Sequence, residues 1–167
     1  YVVALSGGVD SSVLLHAVRT HTQNVRSVFV NHNQQDSNSL QTSAEKFAEI
    51  MKVEHINLET RLEPAASETK MREVRYQLLF SNLKADEILL LGHHHDDKIE
   101  TFLMNLFRGT RLKGLLSIKQ KSQNTLRPFI EIKKASIIEY ANQNEIRFAE
   151  DITNKDNSVL RNWLRNE

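Results

Sequence analysis

"VVALSGGVDSSVLLH", residues 2–16, joins an apolar run to an amphipathic one through a pair of glycines. The run "YVVAL" at residues 1–5 is too uniformly apolar to alternate between a wet and a dry face, so it reads as a strand buried on both sides. Ser11 to Thr20 then reads as a helix that turns Val13, Leu14, Ala17 and Val18 inward. A glycine-rich turn between strand and helix puts backbone N–H groups at a helix N-terminus, where they attract anions. Asp10 stands in that turn, and its carboxylate opposes the phosphate that Gly7 and Gly8 invite. The stretch sets a strand-turn-helix unit and leaves one charge to be explained.

The unit repeats along the chain. "VRSVFV" (25–30) is a second strand, followed by the polar loop "NHNQQDSNS" and a helix from Ser39 to Met51. "VEHINL" (53–58) is a third, then a loop through Pro64, with Ser67 as N-cap of a helix to Lys84. "EILLL" (87–91) is a fourth, and Asp97 to Phe107 a helix with Ile99, Phe102, Leu103, Leu106 and Phe107 at i, i+3, i+4, i+7 and i+8. Repeated β-α units with such apolar strands predict an α/β fold: a parallel twisted sheet with helices on both faces. After Gly114 the rhythm changes. "LLSIKQKSQNTLRPFI" (115–130) predicts a short hairpin or extended crossover, Lys133 to Gln143 a helix, "EIRFAED" (145–151) a short strand, and Ser158 to Glu167 a last helix.

A chain of 167 residues fits one domain, expected over 1–167 and trimmed at both ends from a longer protein. Cysteine is absent, which excludes disulfides, thiolate metal sites and cysteine nucleophiles. No apolar run is long enough for a membrane span and no signal peptide precedes one, so a soluble cytoplasmic protein is expected. Net charge is +1, yet from Arg108 to Lys134 eight basic residues face the single acid Glu131. That tract is either a solvated surface or a patch for a phosphate backbone.

Ligands of open α/β sheets bind at the carboxyl ends of the strands, where two of three glycine clusters fall. "SGGVDSS" lacks the Gly-Lys-[Ser/Thr] ending of a Walker A loop and the spacing of a dinucleotide fingerprint. It offers three hydroxyls, several N–H donors and one carboxylate, where plain capping needs a single serine. "GHHHDDKIET" (92–101) also follows a strand and opens a helix, so Asp96 and Asp97 fall in a first turn that favours acids. Dipole compensation and a transition-metal site are the competing readings, although adjacent histidines point apart. Magnesium binds through one or two carboxylates plus phosphate oxygens, so Asp10 makes sense if it and Asp97 hold that ion across the crevice. Such a loop grips a leaving pyrophosphate and leaves the α-phosphorus open to attack.

These residues resemble the pyrophosphate loop of the N-type ATP pyrophosphatases, and within that superfamily the tRNA(Ile)-lysidine synthetase family. "VVALSGGVDSSVLLH" is similar to that family's first block and "FVNH" to its second. "ETKMREVRY" matches its Glu-Ala-x-x-Arg-x-x-Arg-Tyr helix at Glu68, Arg72, Arg75 and Tyr76. "LLLGHHHDDKIETFLMNLFRG", "RPF" and "EDITNKDNSVLRNWLR" follow its later blocks, so the resemblance covers nearly the whole chain. Thr69 in place of alanine, Arg111 in place of glycine and the missing Gly-Leu-Arg after His32 are departures. Related tRNA thiolases use cysteines, of which there are none here.

The resemblance implies a Rossmann-like PP-loop ATPase (adenine nucleotide alpha hydrolase) fold and a ligase using ATP and Mg2+. L-lysine would be joined to C2 of the wobble cytidine in tRNA(Ile) with a CAU anticodon through an adenylated tRNA, changing codon reading from AUG to AUA. The alternatives are an enzyme amidating a small molecule and a nucleotide-binding module without turnover. By the same resemblance Asp10, Asp97, His94 and Arg75 are catalytic, and Ser6, Gly7, Gly8, Val9, Asp10, Ser11, His32 and Gly92 bind the nucleotide. Arg72, Arg108, Arg111, Arg161 and Asn162 would meet tRNA or lysine, in a monomer or a dimer. Arg72 and Arg75 share one helix face by their spacing.

Overall fold

The computed structural model describes residues 1–33, 37–60, 68–107, 109 and 118–149, with Glu68 described by its backbone. In chain order the elements are β1 (Val2–Ala4), α1 (Val9–His21), β2 (Arg26–Asn31), α2 (Ser37–Met51), β3 (His55–Glu59) and α3 (Glu68–Ser81). They continue with β4 (Leu89–Leu90), α4 (His95–Phe107), β5 (Lys121–Ser122), β6 (Thr125–Leu126) and α5 (Lys134–Gln143). The sheet runs β3-β2-β1-β4-β6-β5, parallel throughout except for the antiparallel edge strand β5.

The uniformly apolar strands feed two cores, because successive side chains point to opposite faces. Val3, Leu5, Phe29 and Leu90 pack beneath α1, α2 and α5, which contribute Leu14, Phe47 and Ile137. Val2, Val28, Leu89 and Leu91 pack on the other face, against Leu79 and Tyr76 of α3. Helices therefore cover both faces, as the strand composition predicts. Val13, Leu14 and Leu15 are buried on α1, with Ala17 and Val18 packed at the margin.

Three expectations change. "EIRFAED" is not a strand over its described residues: Ile146 is buried, and the Ala149 N–H donates to Gly7 O at 2.9 Å instead of to a ladder. Helix α4 has the expected apolar spacing, but Ile99, Phe102, Leu106 and Phe107 are exposed while Asp97 and Glu100 are buried. Its acids face inward because the helix starts at the crevice between β1 and β4. Helices α1 and α4 also begin two residues earlier than the periodicity indicates, which brings Asp10 into the first turn of α1, as Asp96 and Asp97 are in that of α4. The loop at Pro64, the cap at Ser67 and the helix from Ser158 lie outside the described residues. Among the described residues no helix is long and apolar enough to cross a membrane.

Far from that crevice, at the start of β2, Arg26 is clamped in a buried ion pair. Its Nε and Nη2 donate to Glu87 at 2.7 and 2.6 Å, and Nη1 donates to Asn82 Oδ1 at 2.8 Å. Hydrogen bonding from Arg26 holds the Glu87 carboxyl down to about 2. A folded-state value below the ordinary one means that this stabilisation is full above pH ~4.5 and is lost as pH falls towards 2. Urea unfolding from pH 7 to pH 3 should show the parent losing roughly 2 kcal/mol more than Glu87→Gln over that window. Parallel losses in the two proteins would show that the pair does not govern acid stability.

Candidate active site

The strand order places a topological switch between β1 and β4, since the chain proceeds from β1 to β2 and β3 on one side and reaches β4 on the other. Crevices at such points, outside the carboxyl ends of the strands, are where open α/β sheets take ligands. The turns after β1 and β4 form the two lips of this one.

On the first lip Gly7 has φ +81°, and an added Cβ would stand 2.4 Å from Leu40 O. Helix α2 therefore presses directly on the turn, and Ser43 Oγ and the Ala149 N–H both donate to Gly7 O. Gly8 is the N-cap of α1 and supplies no side chain to it. The serines act on the turn itself: Ser11 Oγ accepts from the Ser6 N–H and donates to Gly8 O, both at 3.0 Å, and Ser12 Oγ donates to Gly8 O at 3.1 Å. Ser6 Oγ lies 3.0 Å from Ser11 Oγ. The first helical bond is from the Ser12 N–H to Gly8 O, so the N–H groups of Val9, Asp10 and Ser11 precede the ladder. Three N–H groups at a positive helix end form an anion cradle.

On the second lip Gly92 packs closely: a Cβ there would lie 3.2 Å from the backbone of Asp10 and Ser11, a tight approach. The neighbour there is the protein's own α1. His94 caps α4, and Asp97 Oδ2 reaches back to accept its N–H at 2.9 Å, half of a capping box. His94 Nε2 lies 3.4 Å from Asp97 Oδ2 and 3.8 Å from Asp10 Oδ1, so one imidazole faces both acids. His94 is 5% exposed, and its Nδ1 has no hydrogen-bond partner among the described residues.

Lys134, the first residue of α5, closes the crevice from the side. Its Nζ donates to Asp10 Oδ1 at 2.5 Å and its backbone N–H to Asp96 Oδ2 at 3.2 Å. A cationic wall stands behind. Arg127 Nε donates to His93 Nδ1 at 3.3 Å and its Nη1 to Lys119 O at 3.0 Å. Burial, reinforced by the charges of Arg127, Arg72 and Arg75 and opposed by Asp97, brings His93 down to about 4. It is neutral at pH 7, and since Arg127 can only donate, the ring proton sits on Nε2. His32, just past β2, is lowered by burial and by Arg75. Arg72 lies over the Tyr76 ring, 5.7 Å from its centroid.

The structure thus brings Ser6, Gly7, Gly8, Val9, Asp10 and Ser11 opposite Gly92, His94 and Asp97, with Arg75 acting on His32 and His93, and Arg72 on His93. Arg108, Arg111, Arg161 and Asn162 lie outside the described residues. Lys134, Arg127 and His93 were not singled out by sequence as site residues. Lys134 and Arg127 were counted within the basic tract, yet Arg127 is buried and Lys134 is turned onto Asp10, while Lys119, Lys121 and Lys133 are exposed. A cue was available for Lys134: a cation in a first helical turn opposes the macrodipole and calls for a counter-charge.

Two hard carboxylates from separate helix starts beside an anion cradle fit magnesium, which completes its shell with phosphate oxygens and water. Three adjacent histidines do not form a transition-metal site, because His93 pairs with Arg127, His94 faces Asp97 and Asp10, and His95 faces Asp96. Among the described residues no group of three His, Cys, Asp or Glu is placed to hold an ion by itself.

Comparison with known proteins gives the family. A PP-loop domain family matches residues 1–167. A tRNA(Ile)-lysidine synthase from Bdellovibrio bacteriovorus is 37% identical over 99% of this chain and 55% of its own length. One from Actinobacillus pleuropneumoniae serotype 3 is 33% identical over 100% of this chain and 41% of its own. The chain spans about half the length of the curated relatives it matches. In fold it resembles the NH3-dependent NAD synthetase from Campylobacter jejuni (TM-score 0.58, 16% identity, 99% of this chain and 82% of that one). An NMN synthetase from Francisella tularensis is also similar (TM-score 0.56, 16% identity, 87% and 61%). With residues 1–167 matched by the family and 99–100% of the chain aligned to these relatives, the chain belongs to the PP-loop domain family, alongside the tRNA(Ile)-lysidine synthases.

Proposed function

We propose that the protein carrying this chain is a tRNA(Ile)-lysidine synthase, and that the crevice between β1 and β4 is where ATP activates the wobble cytidine. The observation that carries the reading is the meeting of Asp10 and Asp97 around His94, beside the free N–H groups that open α1. The C2 oxygen of the cytidine attacks the α-phosphorus of ATP, and the bond to the bridging oxygen breaks with its electrons passing to pyrophosphate. An amine of L-lysine then attacks C2, loses a proton, and displaces AMP together with that oxygen.

The chain's own groups divide this work. The N–H groups of Val9, Asp10 and Ser11 hold the phosphates, and the hydroxyls of Ser11 and Ser12 keep the turn in shape. Asp10 and Asp97 would hold magnesium, which when bound neutralises charge on the departing phosphates. His94 keeps the two carboxylates apart and oriented. Arg72, Arg75 and Arg127 supply a positive field for the tRNA backbone near the anticodon, and neutral His93 offers an Nε2–H donor there. Presenting a base edge to the α-phosphorus requires a splayed anticodon loop. Arg108, Arg111, Arg161 and Asn162 would extend the grip on tRNA or lysine, and His32 and Gly92 would border the adenosine. The setting is cytoplasmic, where these substrates are available.

The test is transfer of labelled L-lysine to a transcribed tRNA(Ile) with a CAU anticodon in the presence of ATP. The reading expects RNA-bound label on the wobble cytidine and none on a transcript with that cytidine replaced by uridine. Label on a small acceptor, or ATP bound with no transfer at all, would favour the two alternatives in turn.

A further inference from the structure

We infer that Lys134 is a counter-ion that exchanges partners: it is paired with Asp10 in the structure, and passes to the phosphates when metal and nucleotide bind. This rests on the reading above for the identity of the phosphate ligand, and on geometry for the rest. The Lys134 Nζ sits on Asp10 Oδ1 at 2.5 Å, on the carboxylate assigned to the metal. An ammonium there balances the charge of Asp10 and blocks a cation from the same oxygen.

The position of Lys134 does not depend on this contact. Its backbone N–H is bound by Asp96, the adjoining Ile132 O accepts from the His95 N–H, and Lys98 pairs with Glu131 at 2.6 Å. Further along α5, Ile137 and Ala141 are in the core and Tyr140 OH lies 3.0 Å from His16 Nδ1. The helix is held along its length by other groups, leaving the lysine side chain, about one-third exposed, free to move without unfolding it. A cation in the first turn of α5 also works against the helix dipole. Such a residue is poorly chosen for stability and well placed for charge transfer. When Asp10 turns to the metal, the ammonium loses its partner at the edge of the anion cradle, and the nearest new negative charge is the phosphate chain.

Two binding measurements on the intact protein test this, with Mn2+ as the metal probe and inorganic pyrophosphate as the phosphate probe; neither needs tRNA or lysine. For Lys134→Gln we expect Mn2+ alone to bind about tenfold tighter, and pyrophosphate in saturating Mn2+ to bind about tenfold weaker, the size of one charged hydrogen bond. Lys134→Arg should return both towards the parent, and thermal unfolding should match among the three. Changes in the same direction, or no change in either affinity, overturn the exchange, because a lysine that only ties α5 in place moves neither in opposite senses. Failure to form lysidine with the opposed shifts intact would contradict the proposed reaction and leave the exchange standing.

Discussion

Asp10→Asn should lower pyrophosphate release by about 10²- to 10³-fold while leaving the fold in place, the scale of losing one preorganised charge-stabilising group in a closed site. Asp10 is partly exposed, and its side chain touches Lys134 and faces His94. No core contact depends on it, so circular dichroism and thermal unfolding should be near those of the parent. The amide keeps the shape and one acceptor oxygen but forfeits the charge that draws a divalent cation. Raising magnesium should recover little of the rate. Asp97→Asn is expected to be comparably inactive and equally well folded, because an asparagine oxygen can still accept the His94 N–H. Asp97→Ala adds a stability loss of about 1 kcal/mol by removing that helix cap. Near-normal turnover of Asp10→Asn without extra metal would remove the metal assignment.

Gly7→Ala is the second large effect, and it acts on structure before chemistry. The new Cβ would meet Leu40 O at 2.4 Å and Leu40 C at 3.1 Å, all backbone, on a residue with φ +81°. The left-handed conformation alone costs a non-glycine residue about 1–2 kcal/mol, and the carbonyl cannot swing aside because it belongs to α2. A total loss of about 3 kcal/mol or more is expected in urea unfolding, with ATP binding lost alongside because the loop must shift. Gly8→Ala is the contrast: φ is −86° and the nearest atom is Ser6 Oγ at 3.7 Å, so it should cost less than about 1 kcal/mol. Equal stability of the two variants would show that the pressure of α2 on the turn is not what requires glycine.

The sheet was legible because physics leaves few options for runs such as "VVAL" and "EILLL". They are too apolar for one wet face, and the alternation of Val2 with Val3 and of Leu89 with Leu90 divides between two cores. The two lips of the crevice were legible for a related reason: glycines, serines and acids at strand ends have chemical uses that a plain loop does not. Direction was not legible. The apolar periodicity of α4 identified a helix but not its facing, because Asp97 and Glu100 are buried where the helix begins and Phe102 and Leu106 stay outside. "EIRFAED" has the alternation of a strand, yet Ile146 and the Ala149 N–H satisfy core and turn without a ladder. The basic tract was read by counting charges, which cannot separate Lys121, exposed on an edge strand, from Lys134, thirteen residues on and folded against Asp10.

If this crevice adenylates RNA before lysine acts, the two half-reactions can be separated in one experiment. The intact protein is mixed with tRNA(Ile) bearing a CAU anticodon and α-labelled ATP, in magnesium and without lysine, and both pyrophosphate and RNA-bound label are followed. We expect one pyrophosphate released for each AMP retained on the tRNA, followed by release of that AMP when L-lysine is added. Pyrophosphate release that is indifferent to tRNA, or cleavage of ATP to ADP, would contradict it.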